Sequence, residues 1–268
     1  GMETLLLHEE LRKPVPQEDV IRSIYDSNLD DFRLRNKDGS VALHLACSDI
    51  SRIKSLILFE LIVSAYPEGI RERNNFGWLP IHKAVIIKRD YVFSDMDAQC
   101  VQILIEHYPE GLLSSTLDGQ LPLHLSVMNS SNCQLPLITL LVDKCPEALH
   151  RKDVYGQLPL HKAASNRRIN VDVFDFLLKG YPGGACMKDS NGMLPLHLAV
   201  SKDNPSYSVV YSLIQIYPKG LTEEDDRGMK PYDKLMQRKR VDSEVQQLLL
   251  DMFEVHRSSI RIPNQRRS

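Results

Sequence analysis

Most of what would announce a catalyst is missing from this sequence. It holds no Gly-x-Gly-x-x-Gly, no phosphate-binding loop and no Gly-x-Ser-x-Gly. Its 13 glycines are spread along the chain rather than gathered into a phosphate cradle. Cysteine is sparse and odd in number: Cys47, Cys100, Cys133, Cys145 and Cys186, with no C-x-x-C spacing. That excludes a disulfide framework and points to a reducing compartment. No apolar run reaches membrane-spanning length; Ser55–Ala65 is interrupted by Glu60 and closely followed by Pro67. No basic region followed by an apolar stretch and a cleavage site opens the chain, so no signal peptide is expected. The expected location is the cytoplasm, with the nucleus as the alternative. A formal charge of −2 gives the whole chain no bias towards a polyanion, so neither nucleic acid nor membrane is the expected partner.

What is present suits a folded protein. Hydrophobic residues make up 43% and charged residues 25%, enough apolar material for a sizeable core. Charge is uneven along the chain. Residues 1–31 hold eight acidic and three basic side chains, whereas 227–268 hold five acidic and ten basic. Two solvated ends explain this; a basic end that touches an acidic partner is the sharper reading.

One phrase recurs along the chain: Leu79-Pro80-Ile81-His82, Leu121-Pro122-Leu123-His124, Leu158-Pro159-Leu160-His161 and Leu194-Pro195-Leu196-His197, preceded by the weaker Val41-Ala42-Leu43-His44. A glycine stands two residues before each, at 39, 77, 119, 156 and 192, and Gly228 precedes Met229-Lys230-Pro231. The steps between these glycines are 38, 42, 37, 36 and 36 residues. A second phrase alternates with the first: Tyr66-Pro67-Glu68-Gly69, Tyr108-Pro109-Glu110-Gly111, Cys145-Pro146-Glu147-Ala148, Tyr181-Pro182-Gly183-Gly184 and Tyr217-Pro218-Lys219-Gly220. Each follows an apolar segment of helical period, such as Val101, Leu104, Ile105 and Tyr108. Proline ends that helix, and the glycine after it is expected at positive φ, turning the chain back. Each unit therefore reads as glycine turn, short helix with proline in its first turn, loop, second helix and stop. Helices of about ten residues are marginal alone and need stacking on neighbours.

The pattern Gly-x-x-Pro-Leu-His-x-Ala followed by a leucine-rich second helix resembles the ankyrin repeat. The resemblance covers about residues 34–235 and implies an all-α solenoid of stacked helix–turn–helix units with projecting hairpin-like loops. Full repeats start near 36, 74, 116, 153 and 189, and a terminal one near 225. The residue before Pro-Leu-His is Val or Leu in place of the usual threonine, so helix caps are expected from Asp38, Asp118 or Asn191. Residues 2–33 are expected to cap the array through a lone helix over Gln17–Ser27. Residues 236–256 are expected to close it with a helix over Ser243–His256, and 257–268 to form a basic disordered tail.

The histidines and cysteines invite chemistry that the repeat argues against. His44, His82, His124, His161 and His197 share one repeat position, so neighbours lie about 8–10 Å apart, the spacing of packed helices. A shared zinc needs nitrogens at about 2.0–2.1 Å. The resemblance gives these histidines a structural bond to backbone near the turns. Cys47 and Cys145 fall in packing slots. No catalytic residue, cofactor or metal is expected. Arg238-Lys239-Arg240 is a short basic run that a nucleic-acid-associated nuclear factor could use; an enzyme with an unrecognised groove site is the other rival.

The leading expectation is a monomeric, non-enzymatic scaffold or adaptor that binds a partner protein. In the family, residues flanking the tip glycine and just after His-x-Ala tend to face partners. That places Phe76, Trp78, Ile86 and Ile87 at contact positions, where other repeats offer Asp118 and Gln120, or Ser165 and Asn166. The long step after this tip brings Tyr91, Val92 and Phe93 nearby, and Tyr155 and Met193 extend the set along neighbouring tips. Two readings stand: an exposed aromatic patch for a partner, or a loop folded back so that Tyr91 and Phe93 cover Trp78 and Ile86.

Overall fold

The computed structural model describes residues 6–86, 92–128, 135–168, 170–238 and 243–260; the backbone alone is described over 257–260. Among them are fourteen α-helices and no strand, as the all-α reading requires. The chain divides into two compact units, residues 1–148 and 149–268.

Unit 1 holds four helix pairs: α1 (Leu6–Arg12) with α2 (Glu18–Ser27), α3 (Ala42–Ser48) with α4 (Leu56–Ala65), α5 (Pro80–Ala84) with α6 (Asp95–His107), and α7 (Pro122–Met128) with α8 (Leu135–Lys144). The first helices pack in series, α1 on α3, α3 on α5 and α5 on α7, while α4, α6 and α8 form a second layer. Phe59, Ile62, Leu79, Val101, Leu123 and Leu141 are fully buried between these layers. Unit 2 repeats the scheme with α9 (Pro159–Ser165) and α10 (Val171–Gly180), α11 (Pro195–Val200) and α12 (Tyr207–Ile216), and α13 (Pro231–Met236) and α14 (Ser243–Ile260).

The expected lone N-terminal helix has a partner. In α1, His8 is buried and its Nε2 lies 3.2 Å from the Ser40 carbonyl. His44 makes the same kind of contact with the Trp78 carbonyl, at 2.8 Å. So α1 and α2 form a helix pair of the repeat type, with Asn28-Leu29-Asp30-Asp31 standing after α2 in place of the proline-glycine stop. At the other end α14 runs on to Ile260, past the expected stop at His256, and residues 261–268 lie outside the described residues.

Each tip is a six-residue turn with glycine at positive φ, from 70° to 73°. The first residue of the turn, Asn36, Asn74, Thr116, Asp153, Asp189 or Asp225, organises it. Its side chain accepts the amide four residues on, for example Trp78 N–H to Asn74 at 3.0 Å and Gln157 N–H to Asp153 at 2.8 Å. These side chains, rather than Asp38, Asp118 or Asn191, carry the turn. In the first helices α3, α5, α7, α9 and α11 the caps also come from elsewhere: the histidine three residues past the N-cap accepts the N-cap amide on Nδ1. Leu79 N–H reaches His82 at 2.9 Å, and Leu158 N–H reaches His161 at 3.2 Å. A Val or Leu at the N-cap has no side-chain acceptor for the N3 amide, which bonds the N-cap carbonyl instead, as His82 N–H does to Leu79 at 3.0 Å; the imidazole supplies the returning half of a capping box.

The stop glycines are not at positive φ. Among the described residues the positive-φ glycines are the six at the tips, and each stop continues into a 3-10 turn such as Pro67–Arg71. Glycine is needed there for space: a Cβ on Gly69 would stand 2.9 Å from the Tyr66 ring. Where Cys145 replaces the tyrosine, Ala148 replaces the glycine.

Candidate functional site

The histidines set the tips in place and are occupied in doing so. Since Nδ1 accepts an amide, Nε2 carries the proton and donates to backbone in or just before the next tip: Trp78 for His44, Ser114 for His82 at 2.9 Å, Met187 for His161 at 3.0 Å and Met229 for His197 at 3.1 Å. Burial is the main cause that pushes His44, His82 and His161 down to about 4, and it lowers His197 as well. They are neutral rings with both nitrogens committed. Among the described residues no group of three His, Cys, Asp or Glu side chains is placed to hold a metal. Burial raises the thiols of Cys47 and Cys100, the latter to about 12, so neither is a nucleophile at neutral pH.

Basic side chains fix the tips in order. In unit 1 the Arg35 guanidinium donates to the Arg73 carbonyl at 3.0 Å, and Arg73 to the Ser115 carbonyl at 2.6 Å. In unit 2 Lys152 bonds the Lys188 carbonyl and Lys188 bonds that of Glu224, each at 2.9 Å. Tip backbones add direct rungs: Asn75 N–H to the Asp38 carbonyl at 2.9 Å, Leu117 N–H to that of Phe76 at 3.4 Å, and Ser190 N–H to that of Tyr155 at 2.9 Å. The tips therefore present their second and third residues as a row held by its own backbone.

In unit 1 that row carries two large apolar residues among the polar Lys37, Asp38, Asn75 and Asp118. Phe76 is 55% exposed, and Leu117 on the next tip is 73% exposed. Behind Phe76, Trp78 is half-buried with the Lys83 ammonium 4.6 Å from its ring centroid. Ile86 is half-buried and Met128 exposed. Phe93 is buried at 9%, and burial removes it from the contact set, because a side chain inside the unit has no face to give a partner. Ile87 and Tyr91 lie outside the described residues. In unit 2 Tyr155 is exposed with Lys162 Nζ 5.4 Å from its ring centroid, Val154 beside it is exposed, and Met193 is half-buried. Sequence reasoning passed over Leu117 and Val154. The signal was there: both stand at the second tip position, where a residue is apolar against the habit of turns.

The fold is thus a helix-pair repeat array with exposed apolar side chains on three of its tips, at Phe76, Leu117, Val154 and Tyr155. A family model of ankyrin repeats, built of three copies, matches residues 90–183 and 131–224. Together the matches span half of the chain, and the protein belongs to the ankyrin repeat family. No curated protein matches it as a relative. No helix among the described residues is long and apolar enough to cross a membrane.

Proposed function

We propose that the chain is an interaction scaffold that captures a partner protein on its hairpin tips, with no catalysis of its own. The observation that carries this reading is the pair of apolar tips in unit 1, Phe76 and Leu117, exposed and bonded backbone to backbone. Large apolar side chains at the crest of a polar turn do nothing for the turn, which Asn74 and Thr116 already hold. They do suit an interface, whose strongest contacts centre on aromatic and aliphatic anchors held rigid before binding. Trp78, clamped by Lys83, supplies a second anchor, Ile86 borders it, and Tyr155 with Met193 supplies contacts in unit 2.

The test is capture by the Phe76→Ser/Leu117→Ser variant beside the parent chain, with Tm measured on both. A protein retained by the parent should be retained about tenfold less by the variant, the size of one anchor lost, with Tm unchanged. Equal retention by both would remove the tips from the interface.

A further inference from the structure

In unit 2 the segments that follow the first helices carry a run of cations. Arg167 and Arg168 follow α9, Lys202 follows α11, and Arg238 follows α13. The described residues of these segments contain one acid, Asp203. Their own bonds lay them side by side. The Arg238 guanidinium donates to the Ser201 carbonyl and pairs with Asp203. Arg167 reaches the same carboxylate at 3.4 Å, and Lys202 Nζ donates to the Asn166 carbonyl at 3.0 Å. Of these four cations on three successive segments, two, Arg167 and Arg238, share the one carboxylate.

Lys202 is the anomaly. It is only 8% exposed, and its bonded partner is a carbonyl. The other deeply placed lysines of this unit are paired: Lys162 with Asp153 at 2.7 Å and Lys234 with Asp225 at 2.5 Å. No carboxylate among the described residues pairs with Lys202, and burial alone pushes its ammonium down to about 8. A dehydrated, unpaired cation costs stability unless something supplies the counter-charge.

We propose that this cationic ladder is a docking surface for an extended acidic peptide segment of a partner protein, with a carboxylate completing the pair at Lys202. Successive repeats step by about 8–10 Å, the distance between packed helices. An extended chain rises about 3.3 Å per residue. A peptide with an acidic residue at every third position therefore matches the step of the segments, while the long side chains of Arg167 and Arg238 converge from either side on Asp203, next in the chain to Lys202. Unit 2 as a whole complements such a segment, with 19 basic against 14 acidic side chains. A glutamate narrows to one carboxylate on a slender stem and can reach a lysine this buried. A phosphodiester flanked by two sugars is broader, which favours peptide over nucleic acid. The proposal uses none of the residues of the Phe76–Leu117 face, so either can fail without the other.

The experiment measures fluorescence anisotropy of three labelled probes against the whole chain at low salt. The probes are a Gly/Ser peptide with Glu at every third position, the same peptide with Gln, and an oligouridine of equal charge. The Glu peptide should bind at least about tenfold tighter than the Gln peptide, and more weakly as salt rises. Lys202→Met and the exposed pair Arg167→Gln/Arg168→Gln should each weaken it about fivefold or more, with Tm not lowered. Equal binding of the Glu and Gln peptides would overturn the proposal. So would binding indifferent to both variants, or tighter binding of oligouridine than of the Glu peptide.

Discussion

The two units carry the same turn on different chemistry. Unit 1 builds its tips on the neutral side chains Asn36, Asn74 and Thr116; unit 2 builds them on the carboxylates Asp153, Asp189 and Asp225. The neutral tips crest in Phe76 and Leu117, with leucine after the histidine at Leu45 and Leu125. In two of the charged tips a lysine takes that place, and Lys162 and Lys234 reach back to the tip carboxylate. Burial works against charge on Asp225, yet Lys234 and the amides of Met229 and Arg227 hold it down at about 2. Overall charge follows the same division: unit 1 has 14 basic and 21 acidic side chains, unit 2 has 19 and 14. One backbone turn needs only an acceptor at its first position. Whether that acceptor is neutral or charged is free to vary, provided its surroundings vary with it.

The sharpest way to break this comparison is to strand a carboxylate. Lys162→Leu leaves Asp153 buried without its cation and should cost about 3–5 kcal/mol, read by urea unfolding. Adding Asp153→Asn recreates the Asn36 and Leu45 pairing of unit 1 and should restore most of that loss. A double variant no more stable than the single one would show that the two tip chemistries are not interchangeable.

Acid tests what the units share. Burial sets the folded-state pKa of His44, His82 and His161 near 4, below the unfolded value of about 6.5. The unfolded chain then binds more protons between these values. The stability supplied by the neutral rings is intact above pH 6.5 and is lost as the pH falls towards 4. At pH 5 each ring should have given up about 2 kcal/mol, in unit 1 through two histidines and in unit 2 through His161. Urea midpoints that stay flat from pH 7 to pH 5 would contradict the buried neutral imidazoles.

Two glycines in unit 2 separate strain from crowding. Gly156 has φ +70° and a Cβ there would meet the Ser190 amide nitrogen at 2.8 Å, whereas Gly228 has φ +73° and nothing within 4 Å. Gly228→Ala should cost about 1 kcal/mol, the backbone term alone, and Gly156→Ala clearly more. Equal losses in thermal unfolding would mean that the tips do not hold each other as closely as drawn.

The stops isolate crowding without backbone strain. Gly69→Ala pushes a methyl against Tyr66 and should cost about 1–2 kcal/mol. Tyr66→Cys in the same chain, the arrangement already present at Cys145 and Ala148, should cancel the crowding part in a double-mutant cycle. Additive losses would refute the packing account of these glycines.

The repeat itself was legible in the sequence because its punctuation is local. Gly-x-x-Pro fixes a positive φ and a helix start without reference to the rest of the chain, and a period near 36–42 residues forces stacking. The role of the histidine was legible through the family pattern, and the tip residues Phe76 and Tyr155 through their position beside the glycine. Helix α1 escaped because its seven residues lack that punctuation and declare themselves only when His8 meets Ser40. The caps escaped because an imidazole three residues along is not among the usual capping side chains. The stop glycine looked like a turn residue and is a packing residue, since the ring that demands it lies over it only once the chain has curled into its 3-10 turn. Tertiary structure alone decided that Phe93 is inside, that Lys83 covers Trp78, and that Arg167 and Arg238 share one carboxylate while Lys202 bonds only a carbonyl. Conformational preferences of single residues are written in the chain. Which carbonyl a lysine such as Lys188 or Lys202 reaches is decided by the stacking of repeats, which brings residues 36 apart within bonding distance.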